Sequence, residues 1–355
     1  MAPGIEIRRS RWRRVVRALR DPWVRTLLAV VLLALAAFLL RDQKHFLAEG
    51  WATLARANNW YLAGAVIAMA LAMVTQAEVM VVLLRTAGVR VARGVANALG
   101  LAANSWSLTF PGGPAISAAM IFREQLKWGA TPVIASWYMV LSGALSAGGM
   151  ALLGLGAVFF LGARVQPLTL AISLLVLVVL AWATNWAATH PRAVERRLLA
   201  ALTAFNRRRG AADDRWHNRI RAFTEQLSAV QLPLPRLTLA MVWSLLNWIA
   251  EIACLLLAIE AVGGTPPVAA VVLAFLAAKL VGQAPVTPGG LGPVDLALTT
   301  MLVSVGAMPS ADALAAVILF RMVSFALPAV VGWLVFLAMF IARSHRGGTR
   351  RRGEA

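Results

Sequence analysis

Long apolar runs separated by short polar segments dominate the pattern along the chain. Six of these runs approach or exceed the ~20 residues that an α-helix needs to cross a bilayer. They are residues 23–40, 60–84, 131–162, 167–189, 237–262 and 312–342. The pattern therefore predicts about six full spans in an all-α polytopic membrane protein.

Two further apolar stretches, residues 94–127 and 267–306, are each interrupted near the middle by a Pro-Gly-Gly sequence. The interrupting residues are Pro111, Gly112 and Gly113 in the first stretch and Pro288, Gly289 and Gly290 in the second. Each break leaves arms of roughly 15 residues, which are short for a full span. We therefore expect two re-entrant helix pairs that are broken at Pro-Gly-Gly.

The composition agrees with a protein that lies in a membrane. Of the 355 residues, 60% are apolar and 14% are charged, and the mean hydropathy is +0.74, outside the range of soluble domains. A formal net charge of +19 would suggest nucleic acid as the partner of a soluble protein. Here the basic residues are grouped between apolar runs, so we predict no nucleic-acid partner.

The positions of the basic residues predict the orientation. With the N-terminus inside, 28 of the 34 Lys and Arg residues fall in the cytoplasm, and Lys279 and Arg321 remain in the membrane. This bias follows the positive-inside rule. We expect a basic cytoplasmic segment at 1–22, a single transmembrane domain at 23–342 and a basic cytoplasmic tail at 343–355.

The two halves of the chain repeat one another. The Pro-Gly-Gly sequences are 177 residues apart, and at the same offset Gly129 matches Gly306 and Pro132 matches Pro309. The orientation places the start of the first broken stretch on the cytoplasmic side and that of the second on the outer side. We therefore expect inverted-topology repeats, a plan in which unwound segments form the substrate site of transporters. The repeats cover about 60–162 and 237–342, and a basic cytoplasmic loop at 190–236 lies between them.

A Pro-Gly-Gly break has a defined effect on a helix. Proline removes a backbone donor and ends the helix, and glycine permits a positive φ. The helix that restarts is expected to begin with free N–H groups and the positive end of its dipole, which suit an anion such as phosphate. A tight turn that only packs the helix pair is the other interpretation.

Five charged residues fall within apolar stretches, where each costs ~3 kcal/mol or more at the bilayer centre. They are Glu78, Glu251, Lys279, Asp295 and Arg321. Arg321 offers a planar fork to a carboxylate or a phosphate, and Asp295 is placed to pair with Arg321 or Lys279. Arg123 can attract anionic head groups near the cytoplasmic side. A purely structural ion pair is the alternative.

The apolar runs of this chain contain few of the residue types that catalysis or metal binding requires. All four histidines lie outside the apolar runs, and the single Cys254 excludes an intramolecular disulfide. A Walker A motif is absent from the sequence. We expect no enzymatic activity, no metal and no cofactor.

Residues 285–337 contain a PGGLG segment, then Asp295, and then Arg321 within a long span. This region resembles the lysylphosphatidylglycerol synthase/flippase transmembrane-region family, and the resemblance covers roughly residues 20–342. The acid that follows PGGLG in the family is usually Glu, whereas Asp295 keeps the charge and shortens the reach. The two-part synthases continue into a soluble aminoacyl-transfer domain. Because this chain ends soon after its last span, we expect the translocation module alone.

The resemblance implies that the protein handles phospholipids or polyprenyl-linked glycolipids. We expect a lipid flippase or lipid-carrier transporter of the bacterial inner membrane, whose partner is an anionic phospholipid or a polyprenyl phosphate. Its substrate-binding residues are expected to be Pro111, Gly112, Gly113, Arg123, Glu251, Lys279, Pro288, Gly289, Gly290, Asp295 and Arg321. The alternatives are a secondary transporter of a small solute and a non-transporting membrane partner of an envelope glycosyltransferase that docks on residues 190–236.

Overall fold

The fold comes from a computed structural model that describes residues 53–110, 112–161, 200, 203, 233–283 and 287–352. Regular structure within these residues is helical, with no strand. The predicted spans 23–40 and 167–189, most of the loop 190–236, and Pro111 lie outside the described residues.

The helices fall into two halves that follow the same order. The first half comprises α1 (Asn59–Thr86), α2 (Arg93–Thr109), α3 (Gly113–Lys127) and α4 (Pro132–Leu161). The second comprises α5 (Leu234–Ala261), α6 (Val268–Val281), α7 (Pro293–Ser304), α8 (Ser310–Arg321) and α9 (Leu327–Arg352). A 3₁₀ turn, Pro288–Gly290, precedes α7.

Four helical segments are long and apolar enough to cross a membrane. They are Asn59–Thr86, Pro132–Phe159, Leu234–Ala261 and Ser310–Met339, and each coincides with a predicted span. The chain is therefore an all-helical membrane protein, as the hydrophobic pattern predicts.

The last of these segments contains an irregular turn. A π-helical turn, Met322–Ala326, joins α8 to α9 just before Pro328. Proline lacks the N–H group that the regular helical bond requires, and a local change of winding beside it is a known way to continue the helix.

Both Pro-Gly-Gly sequences interrupt helices, as predicted. The arms are 17 and 15 residues long in α2 and α3, and 14 and 12 residues long in α6 and α7. Each arm is shorter than the ~20 residues of a full crossing. The breaks therefore place turns inside the helical bundle.

The centre of the bundle is an antiparallel pair formed by α1 and α5. At one end, the N–H of Asn58 donates to the carbonyl oxygen of Ala261 at 2.9 Å. Further along, Gly64 lies against Leu257, and at the other end Ala240 packs into the core formed by the last turns of α1. Small residues at the contact allow close packing where lipid offers no hydrophobic drive between helices.

The arm α2 packs against α9. The Cα atom of Gly332 lies so close to the carbonyl oxygen of Leu101 that a Cβ atom would overlap it. The Nε1 atom of Trp333 donates to Oγ1 of Thr109 at 3.0 Å. The rings that cluster beside this bond belong to Trp106, Phe110, Trp333 and Phe336. This packing fixes the end of α2 and, with it, the first break.

We predict that Gly332→Ala lowers stability by about 1–3 kcal/mol, because the added methyl group forces α9 away from α2. The measurement is the midpoint of thermal unfolding of the purified protein in detergent. Gly156→Ala is the matched control, since no atom lies within 4 Å of its added Cβ. Equal midpoints for the two variants would contradict the close approach of α2 and α9.

Candidate functional site

A cavity of about 550 Å³ lies between the two halves, within the size range of ligand sites. All the helices from α1 to α8 contribute side chains to its wall, and both breaks contribute backbone through Gly112, Gly289 and Gly290. The second break packs on the end of α2, since a Cβ on Gly289 would be 3.1 Å from the carbonyl oxygen of Leu108. The two breaks therefore approach each other at this cavity.

Lys279 and Glu251 form an ion pair on the cavity wall. The Nζ atom of Lys279 is 2.5 Å from Oε2 of Glu251 and lies over the rings of Trp248 and Phe275, at 5.3 and 5.1 Å from their centroids. Asn247 donates a long hydrogen bond of 3.4 Å to the other oxygen of Glu251. The Lys279 side chain remains 35% exposed, so this ammonium group can be reached from the cavity.

Arg321 makes a second charged contact. Its Nη2 atom donates to the carbonyl oxygen of Gly289 at 2.8 Å, and its Nε atom is 2.7 Å from Oδ1 of Asp295. The latter contact is an ion pair by distance and not a directed hydrogen bond, since neither atom has a hydrogen-bond partner among the described residues. Arg321, 7% exposed, thus ties the second break to α8 and α7.

Gly289 is required at this break by its backbone and its neighbours. Its φ is +56°, a conformation that side chains disfavour. The ring of Phe325 lies where a Cβ would be placed, and the same ring lies 5.2 Å from the guanidinium carbon of Arg321. Gly289, Arg321 and Phe325 therefore form one packed unit.

The prediction of free N–H groups at the restarted helices was wrong at α3, where the first donors are bonded within the chain. At α3, the N–H of Gly113 donates to Phe110 and that of Ala115 to Gly112. At α7, the carboxylate of Asp295 accepts from the N–H of Gly292 at 2.8 Å. The first donors of α3 are thus used within the chain, and Asp295 places a carboxylate of the protein itself at the start of α7.

The predicted site residues fall into three groups. Those that line the cavity are Gly112, Glu251, Lys279, Gly289, Gly290 and Arg321. Those that do not line it are Gly113, Arg123, Pro288 and Asp295, and Pro111 lies outside the described residues. Asp295 joins the first group only through Arg321, and Arg123 is exposed away from it.

Glu78, the remaining charged residue of the apolar stretches, belongs to a different contact. Its Oε1 atom is 2.8 Å from Nε of Arg93, at the start of α2. The side chain of Arg93 is 67% exposed, so this pair lies at the edge of the bundle and not in the cavity.

Neutral polar residues are the part of the site that the sequence analysis missed. The cavity wall includes Ser244 and Asn247 on α5, which lie on the same helix face as Glu251. Serines also line it from α2 and α4. The sequence could have predicted them, because polar residues spaced by three or four positions along an apolar span lie on one helix face.

A family model described as the lysylphosphatidylglycerol synthase transmembrane region matches residues 23–332. The chain belongs to this family. A comparison with curated proteins gives no match. As a member of the lysylphosphatidylglycerol synthase transmembrane-region family, the chain is a membrane module with a lipid-related function.

We predict that Asp295→Asn lowers stability by about 3 kcal/mol, because it leaves the buried guanidinium of Arg321 without its counter-ion. The double variant Asp295→Asn/Arg321→Met should lose less than the sum of the single variants. The measurement is unfolding by SDS titration in mixed micelles.

Glu78→Gln is the control for this experiment. Its partner Arg93 is largely exposed, so water can solvate the remaining charge and the expected loss is ~1 kcal/mol or less. Additive losses in the double variant of Asp295 and Arg321 would show that the two side chains do not interact.

Proposed function

We propose that the protein is a lipid flippase or lipid-carrier transporter of the bacterial inner membrane, and that it catalyses no chemical reaction. Its substrate would be an anionic phospholipid or a polyprenyl-phosphate-linked glycolipid. The observation that carries the proposal is one cavity, walled by two helix breaks, that contains the cations Lys279 and Arg321. Family membership supplies the lipid-related function, and the cavity supplies a place for a head group.

Inverted repeats are part of the proposal, and the helix packing supports them. The helices that begin the two halves, α1 and α5, run antiparallel. Gly154 of α4 packs on Leu276 of α6, and Gly332 of α9 packs on Leu101 of α2. The position 177 residues after Gly154 is one residue before Gly332. The position 177 residues before Leu276 is two residues before Leu101. Such paired contacts are expected when two repeats are related by a two-fold axis.

Lys279 is the cation that meets the lipid phosphate first. Its ammonium group carries three donors on a flexible stem, is partly exposed, and is held by Glu251 through a single oxygen. A phosphate can replace that carboxylate while Asn247 still donates to Glu251. One charge-assisted contact replaces another, so the head group can be bound and also released.

Arg321 has a different role because it is buried and already bound. It holds the carbonyl oxygen of Gly289 and the carboxylate of Asp295. We propose that Arg321 keeps the second break in the shape that forms the cavity wall, and contributes its positive charge to the phosphate from there.

The proposed orientation places both termini in the cytoplasm. The distribution of basic residues supports this orientation through the positive-inside rule. The two arms of the first broken stretch would then begin and end on the cytoplasmic side, at Arg93 and Lys127.

We predict that Lys279→Gln and Arg321→Ala each slow lipid translocation at least about tenfold, the equivalent of one charge-assisted hydrogen bond. The measurement is the transfer of head-group-labelled lipid across the bilayer of proteoliposomes. Arg90→Ala is the control, since Arg90 is exposed and does not line the cavity. Equal rates for wild type and Arg321→Ala would refute the flippase proposal.

A further inference from the structure

The charges of the cavity are compensated within the protein. Lys279 is paired with Glu251, and Arg321 is paired with Asp295. Among the described residues, the charged groups that line the cavity are Glu251, Lys279 and Arg321, and Asp295 is paired with Arg321. The wall therefore offers a phosphate two cations that already have partners, and it offers no excess of positive charge.

The neutral polar side chains of the wall have the opposite property. Six of them make no hydrogen bond with any described residue: Gln76, Ser107, Ser146, Ser244, Gln283 and Ser324. They come from six different places, namely α1, α2, α4, α5, the end of α6 and the π-helical turn. Unused hydrogen-bonding capacity thus surrounds the cavity on several sides.

The hydrogen-bonding capacity of these side chains indicates which ligand groups they can bind. A hydroxyl or a carboxamide group both donates and accepts hydrogen bonds, whereas a phosphodiester oxygen only accepts and an ammonium group only donates. Hydroxyl groups of a ligand also do both. A ligand that displaces solvent from these groups loses affinity unless it replaces the hydrogen bonds that solvent makes, so a ligand that carries several hydroxyl groups is the best match.

We propose that the cavity selects lipids with a polyhydroxyl head group, such as a polyol or a glycosyl group carried on a phosphodiester. This inference rests on the proposed function, because the same cavity receives the lipid. It adds the class of head group and the residues that recognise it.

The geometry links the hydroxyl groups to the cation. The Nε1 atom of Trp248 donates to the carbonyl oxygen of Ser146 at 2.9 Å, which joins α5 to α4. Ser244 is one turn before Trp248 on α5, and Lys279 lies over the Trp248 ring. Trp248 thus connects Lys279 to the helix turns that carry Ser146 and Ser244, all of which line the same cavity, and we place the head group of a lipid bound at Lys279 beside these two serines.

The test compares three lipids with the same acyl chains and the same single negative charge. Phosphatidylmethanol carries no hydroxyl group in its head group, phosphatidylglycerol carries two and phosphatidylinositol carries five. Binding to the purified full chain in detergent is measured by competition in native mass spectrometry. We expect affinity to rise along this series, by about tenfold or more from phosphatidylmethanol to phosphatidylinositol, since each added hydrogen bond has a modest net effect.

Two variants locate the effect in the cavity. Ser146→Ala/Ser244→Ala should reduce the preference for phosphatidylinositol over phosphatidylmethanol to about twofold, because it removes two hydroxyl partners. Ser310→Ala is the matched control, since Ser310 is exposed and outside the cavity. It should keep the full preference.

The results separate this inference from the proposed function. Equal binding of the three lipids that is lost in Lys279→Gln would overturn the selection of hydroxyl groups and leave lipid binding at the cavity intact. Tighter binding of phosphatidylethanolamine than of phosphatidylinositol would also overturn it, in favour of an amine. Absence of binding by all three lipids would count against both the inference and the proposed function.

Discussion

A helix can be interrupted within a membrane only where the protein or a polar cavity satisfies the backbone groups that the break releases. The two breaks meet this requirement differently. At the first break, the N–H of Gly113 donates to Phe110, and aromatic packing against α9 fixes the end of α2. At the second, Arg321 donates to the carbonyl oxygen of Gly289, and Asp295 accepts from the N–H of Gly292. In both cases the backbone at the break is bonded within the protein, so the breaks can line a cavity between the helices.

This difference makes the two halves unequal. In the second half, Lys279 is paired with Glu251, and Asp295 and Arg321 are paired with each other. In the first half, the residues 177 positions before Lys279, Asp295 and Arg321 are Ala102, Ala118 and Ala144. Alanine side chains at these positions carry no charge with which to respond to a charged ligand, whereas an ion pair can exchange its partner. Any response of the protein to a head group is therefore expected to begin in the second half.

The sequence predicted the elements of this fold better than the contacts of its site. Apolar length and Pro-Gly-Gly chemistry are local properties, so four spans and both breaks coincide with the structure. The sequence left Lys279 and Arg321 as two possible partners of Asp295. The fold shows that the partner is Arg321. The pairing of Lys279 with Glu251 joins α6 to α5, and no spacing along the chain encodes the distance between those helices.

The donors at the helix starts show why a local rule can fail. A restarted helix does have N–H groups that need acceptors, and an incoming anion is one way to supply them. The chain itself supplies acceptors at Phe110, Gly112 and Asp295, because the tight turn brings them within reach. At α3, the turn that would create an anion site therefore also supplies its acceptors, and the proposed recognition of a head group rests on side chains.

Compensated charges suit a carrier better than free charges would. A buried cation without a partner would hold an anionic head group strongly, and the cost of leaving that cation bare would oppose release. In the proposed function, the lipid phosphate would compete with the Glu251 carboxylate for the Lys279 ammonium group, so that neither state would leave the cation alone. The affinity for the phosphate is then a difference between two similar contacts. A site of this kind would load and unload a lipid, and under the proposed selectivity hydrogen bonds to the head group would decide which lipid is accepted.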